Sequence, residues 1–285
     1  MIDIIRQRLN RYGASNALME EHATKEIIQE IALYALWRTG FFEVAAFQGG
    51  TSLRILHRLP RFSEDLDFIL KKPDPDFDWS KTLKKLLGHF DEFGLKSEAL
   101  TKGKIDNRIK KAIIKDNSII NQLNLSFYSG HADQKLKIKL EIDVDPPQGS
   151  GFNYSYLDFP LDFEVCHQDL SSNFALKIHT LLCRQFIKGR DWYDFNWYLK
   201  QQVAPNLPLL RNALNQSGPW AKKMEPILTL GWLKNALENK VASIDWNFAA
   251  RDVERFLSAQ EQQSLSLWSE RFFKSKVGAL GSVVS

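Results

Sequence analysis

Gly49-Gly50-Thr51-Ser52-Leu53, followed by Arg61-Phe62-Ser63-Glu64-Asp65-Leu66-Asp67-Phe68, decides the reading of this chain. The glycine pair opens a turn into a short helix over Thr51 to Leu59, which Pro60 ends. The next apolar run reads as a strand within Phe62 to Leu70. On a strand, Asp65 and Asp67 project from one face, and Leu66 and Phe68 from the other. Two crowded carboxylates repel each other unless a cation lies between them. The pair therefore suits a divalent metal, and a Gly-Gly turn brings backbone N–H groups close to phosphates. Together they read as a site for a nucleoside triphosphate.

Working outward, residues 14–39 hold no Pro or Gly between Gly13 and Gly40, and Ile27, Ile28, Ile31, Leu33, Tyr34 and Trp37 recur at helical spacing. Phe41 to Phe47 reads as a strand leading into the glycines. Lys71 to Asp78 is a loop, and a helix is expected over Ser80 to Phe93. Ile119 to Tyr128 and Leu136 to Val144 read as strands, ended by Pro146-Pro147-Gln148-Gly149. After about residue 165 the pattern turns helical, with Ser171-Ser172-Asn173 as caps for a helix to Ile187 and another over Tyr193 to Lys200. The expected fold is α/β (α+β class) and bilobed. Residues 1–164 form a lobe with a small mixed sheet, residues 165–285 a helical bundle, and the active site lies in the cleft.

A third acid has its candidates on the second acidic strand, where Glu141, Asp143 and Asp145 share a face opposite Leu140, Ile142 and Val144. Such alternation also describes a half-exposed sheet. In the helical half, Lys177, Arg184 and Lys188 fall together along the border of the apolar face. That stripe is either a solvated rim or a match for a triphosphate. Asp191 and Asp194 stand at a helix start, where a carboxylate also serves as a cap.

The chain has 285 residues, 44% hydrophobic and 12% aromatic, which excludes a disordered polymer. A net charge of +4 permits a polyanionic partner without requiring one. Lys96, Lys102, Lys104, Arg108, Lys110, Lys111 and Lys115 outnumber Glu98 and Asp106 in one segment, a local excess that suits a phosphate backbone or a solvated face. Cys166 and Cys183 are too few for a disulfide framework or a zinc site. No signal-peptide layout opens the sequence, and no apolar run approaches the ~20 residues that span a bilayer. A cytoplasmic protein without membrane partners is expected.

The stretch from Gly49 to Arg54 and from Leu59 to Phe68 resembles the signature of the AbiEii/AbiGii family, nucleotidyltransferase-like toxins of toxin–antitoxin and abortive-infection systems within the polymerase-β-type superfamily. Leu140-Glu141-Ile142-Asp143 resembles the family's third-acid strand. Ala175-Leu176-Lys177 through Arg190-Asp191-Trp192-Tyr193-Asp194 resembles its Lys and Arg-Asp-x-Tyr-Asp motifs. The resemblance covers residues 49–194. Residues 1–40 and 205–285 match no motif.

The resemblance implies a magnesium- or manganese-dependent nucleotidyltransferase that moves a nucleotide from an NTP to an acceptor hydroxyl. It points to the 3′ end of tRNA as acceptor and to a cognate antitoxin as partner. It implies metal binding by Asp65, Asp67 and Glu141, with Asp143 the competing third acid. Nucleotide contacts fall to Gly49, Gly50, Thr51, Ser63, Arg61 and Lys177, and Asp191 completes the catalytic set. A protein or small-molecule nucleotidyl- or phosphotransferase on the same scaffold, or an inactive binding protein, is the alternative.

Overall fold

The computed structural model describes residues 2–102, 108–116, 118–123, 125 and 136–284, leaving aside the side chains of 102, 120–122 and 282–284. It forms two compact units: Met1–Arg58, Phe62–Pro146 and Asn153–His167, and then Leu59–Arg61, Pro147–Phe152 and Gln168–Ser285.

The first unit is α/β. Helices α1 (Ile2–Tyr12) and α2 (Ala17–Arg38) precede β1 (Ala45–Gln48), α3 (Gly49–His57), β2 (Asp65–Leu70) and α4 (Trp79–Glu92). Strands β3 (Ser97–Lys102) and β4 (Ile109–Asp116), helix α5 (Ser118–Leu123), and strands β5 (Leu136–Asp143), β6 (Phe152–Leu157) and β7 (Phe163–Gln168) follow. The strands form one mixed seven-stranded sheet in the order β3-β4-β5-β2-β1-β7-β6. β2 runs antiparallel to β1 and parallel to β5. Leu66, Phe68, Leu140 and Ile142 are buried under α2 and its neighbours, as the period-two pattern predicts. Helix α2 is buried around its circumference rather than along one stripe, taking Glu26, Gln29 and Glu30 inside with its isoleucines.

Three local expectations change. Phe41–Glu43 is a 3₁₀ turn, and β1 starts at Ala45, because Phe41 leaves the sheet line to stack on Trp79 at 5.4 Å. Helix α3 begins at Gly49 and stops at His57, where Arg58 takes a left-handed φ of 57° before Pro60 is reached. Ser118–Leu123 is helix, where the sequence suggested a strand over Ile119 to Tyr128. The Asp116 carboxylate accepts from the backbone N–H groups of Ser118 and Ile119, which starts a helix. Residues 124 and 126–128 of that stretch lie outside the described residues.

The second unit is helical: α6 (Leu170–Cys183), α7 (Gly189–Lys200), α8 (Leu207–Gln216), α9 (Leu230–Ala242), α10 (Trp246–Glu254), α11 (Ala259–Gln262) and α12 (Glu270–Val284). Its core stacks Phe174 on Tyr198 at 4.4 Å and Trp246 on Phe273 at 4.1 Å. Helices α7 and α10 approach so closely that a Cβ on Gly189 would lie 1.8 Å from the Ala249 carbonyl oxygen. Asp169, ahead of the expected Ser171-Ser172-Asn173, caps α6 by accepting from the Ser172 N–H. The helix ends at Cys183, so the expected continuation to Ile187 does not form. Among the described residues, no helix is long and apolar enough to cross a membrane.

Candidate active site

Antiparallel pairing of β1 with β2 sets Gln48 beside Asp67. The chain then turns into α3 through Gly49, whose φ is +76°. A Cβ there would stand 2.7 Å from the Asp67 Oδ2, so this position disfavours a side chain on two separate grounds. The first turn of α3, with Gly50, carries the positive end of its helix dipole. Thr51 is buried, and its hydroxyl lies 2.8 Å from the Ser63 hydroxyl and donates to the Asp65 carbonyl. Gln29, buried in α2, donates to the Ser63 carbonyl at 3.2 Å. Thr51 and Ser63 thus tie the loop ahead of β2 to α3, and Gln29 fastens that loop from the core.

Parallel register between β2 and β5 places Lys139 beside Asp65, Glu141 beside Asp67 and Asp143 beside Ile69. All three β5 residues stand on the face that carries the aspartates. Glu141 is thus the acid level with Asp67. Asp143, at the end of β5, accepts from the Asp145 N–H at 3.0 Å and from Arg108. Asp145 falls beyond the strand.

Two neighbouring lysines partner these acids. Lys139 Nζ is 3.4 Å from Asp65 Oδ1, and Lys111 Nζ, from β4, is 3.0 Å from Glu141 Oε1. Among the described residues, no three His, Cys, Asp or Glu side chains converge closely enough to hold a metal ion unaided.

Other members of the basic segment are also engaged by the fold. Lys110 Nζ donates to the Pro75 carbonyl at 2.6 Å, and Arg108 to the Asp145 carbonyl at 3.2 Å. Lys104, Asp106 and the side chain of Lys102 lie outside the described residues. The sheet adds cations that the linear segment did not contain: register sets Lys115 opposite Lys137, on the face that also bears Lys139.

The second unit gathers a different cluster. Lys177 Nζ, on α6, contacts Asp191 Oδ1 at 2.8 Å and Asp194 Oδ2 at 2.9 Å, both on α7. Arg61 grips Asp194 with two parallel bonds of 2.6 and 2.7 Å. Arg184 donates to the other Asp191 oxygen. Asp194 and Arg61 are fully buried or nearly so. Burial alone would raise the Asp191 pKa, but Lys177 and Arg184 outweigh it and hold the carboxyl at about 2. Burial would lower the Lys177 pKa, but Asp191 and Asp194 raise it, so the ammonium stays charged.

Neither aspartate caps α7. Lys188 occupies the cap position, and the Gly189 N–H donates to Asp252. With α6 ending at Cys183, Lys177, Arg184 and Lys188 form no helical stripe. Arg184 turns back onto Asp191, and Lys188 lies over the Phe186 ring. Arg190 of the expected motif lies over the Phe256 ring at 4.3 Å. The sequence reading missed Gln29 and Lys139, and it named Lys111 and Arg184 without their acid partners. Only the strand register or a long-range packing contact reveals them.

Residues 31–271 match the sequence model of a family described as nucleotidyl transferase AbiEii toxin, type IV TA system. MenT4, a nucleotidyltransferase toxin of Mycobacterium tuberculosis H37Rv, shares the fold with a TM-score of 0.52 and 18% identity, over 99% of each chain. JHP933 from Helicobacter pylori aligns with a TM-score of 0.47 and 16% identity, over 93% of this chain and 90% of that one. No curated protein matches the sequence.

Proposed function

We propose, for a chain that belongs to the AbiEii family of nucleotidyltransferase toxins of type IV toxin–antitoxin systems, a metal-assisted transfer of a nucleotide from an NTP to an acceptor hydroxyl, with release of pyrophosphate. The observation that carries this reading is the β1–β2–β5 register, which sets Asp65, Asp67 and Glu141 on one sheet face beside a turn that favours glycine.

The donor set fits a divalent cation such as Mg²⁺ or Mn²⁺. Magnesium binds through one or two carboxylates plus substrate phosphates rather than in an all-protein cage. Two aspartates on adjacent same-face positions meet that need without a third converging acid. When bound, such an ion stabilises charge on the attacking and leaving oxygens. Asp65 and Asp67 would hold the ion. Glu141, rather than Asp143, would join them at the metal beside the acceptor and orient its hydroxyl, because it stands level with Asp67. Gly49 and Gly50 let the backbone approach the phosphates, and Thr51 and Ser63 fix the loop that positions Asp65.

Lys177, kept charged, meets the negative charge of the triphosphate. Asp191 and Asp194 position it. Arg61 acts through Asp194 as a tie, since its bidentate grip already uses Nε and Nη2. In this reading residues 1–164 are the metal- and nucleotide-binding lobe, and residues 165–285 are the helical lobe that carries Lys177.

The acceptor we assign is the 3′ end of tRNA, in the cytoplasm, and the partner that neutralises the toxin is a cognate antitoxin. Lys115, Lys137 and Lys139 on the acid-bearing face support a polyanionic acceptor. The test mixes protein, Mg²⁺, each α-labelled NTP in turn and total tRNA, with an Asp65→Ala/Asp67→Ala control. Label entering tRNA with the wild type alone is the expected result. Label entering protein or a small molecule instead would move the acceptor to the alternative class. No label at all would leave a binding protein.

A further inference from the structure

Two acids of the sheet face, Asp65 and Glu141, take a lysine partner from the adjacent strand. Lys139 is the register partner of Asp65, and Lys111 that of Glu141. The N–O separations are 3.4 and 3.0 Å. These pairs are half-open: 54% of the Lys139 side chain and 32% of the Lys111 side chain are exposed, with 28% for each acid. Ion pairs at such positions are weak and exchange readily with other cations. Each lysine thus occupies one oxygen of a carboxylate that the proposed metal ion would also use.

We propose that Lys139 and Lys111 are exchangeable counter-ions that compete with the divalent cation for Asp65 and Glu141, so that the protein without nucleotide binds metal weakly and the ion is retained together with the triphosphate. The proposal rests on the reading of Asp65, Asp67 and Glu141 as the metal site. Lys137 provides an internal comparison. It has the same charge, strand and face as Lys139, but its register partner is Lys115 rather than an acid. A general field effect of removing one positive charge would act through Lys137 as well. Direct competition would not.

The experiment is a Mn²⁺ titration of the full chain, read by electron paramagnetic resonance at fixed ionic strength without nucleotide. Lys139→Met and Lys111→Met are expected to tighten Mn²⁺ binding about three- to fivefold, the scale of a half-exposed ion pair. Lys137→Met should change it less than twofold, and Asp65→Asn should weaken it strongly. Equal tightening in all three lysine variants, or none in Lys139→Met and Lys111→Met, overturns the competition while leaving the metal site standing, provided Asp65→Asn weakens binding. Wild-type Mn²⁺ binding by Asp65→Asn overturns both the competition and the metal assignment.

Discussion

Lys139 and Lys177 are both ion-paired to aspartates, yet 54% of the Lys139 side chain is exposed against 11% for Lys177. Lys139 meets one carboxylate oxygen at 3.4 Å, whereas Lys177 is held by two carboxylates at 2.8 and 2.9 Å. One of those, Asp194, is also gripped by Arg61. The sheet-face pairs cost little to break, because water and other ions replace the lost partner. The buried network cannot lose a carboxylate without leaving its cations short of a partner in a low-dielectric interior. Similar residue types thus make open, weakly held pairs on the sheet face and a buried, multiply held knot in the helical unit.

The largest effect should come from the knot. Asp194→Ala leaves Arg61 and Lys177 short of a partner and should lower unfolding free energy by about 3–5 kcal/mol, measured by urea denaturation. A loss below about 1 kcal/mol would put this network in the same class as the surface pairs. Asp65→Asn should do the reverse. Nucleotidyl transfer should fall on the order of 100- to 1000-fold, with stability changed by less than about 0.5 kcal/mol. A variant that unfolds instead would erase the contrast from the other side.

The pH response separates the two regions further. Asp191 has its carboxyl held at about 2 in the fold against an ordinary 3.8. Its pairing therefore stabilises the protein fully above about pH 4, and that contribution is lost as pH falls toward 2. The linked amount is roughly 2 kcal/mol. Acid unfolding of Asp191→Asn should lack this slope between pH 4 and 2, whereas a wild-type slope in the variant would remove Asp191 as its source. The smallest effect is expected at Gly49→Ala, about 1–2 kcal/mol of backbone and contact strain. Thermal melts should report it alongside reduced transfer, since the added Cβ pushes on Asp67.

Much of the acid face was legible because it obeys local rules. Asp65 and Asp67 share a face by strand period, and a glycine pair before a helix marks a backbone approach. Glu141 and Asp143 could not be separated by period, since both share that face; the parallel register decides which one stands beside Asp67. The counter-ions were hidden for the same reason. Lys111 looked like part of a basic run, but its neighbour across the sheet is Glu141. In the helical unit, the family motif marked Lys177 and Asp191, while capping remained a competing use for Asp191 and Asp194. Only the folded packing of α6 against α7 shows both carboxylates converging on one ammonium. The segment after Asp116 failed as a strand because a single side chain capped a helix there.

Arg61 and Asp194 are 133 residues apart in sequence, although both belong to the second unit. During synthesis, then, the guanidinium emerges well before its carboxylate exists and waits in water while the sheet-forming segments are still being made. The buried knot closes only after α7 has left the ribosome, which ties completion of the helical half to a piece of chain made long before it.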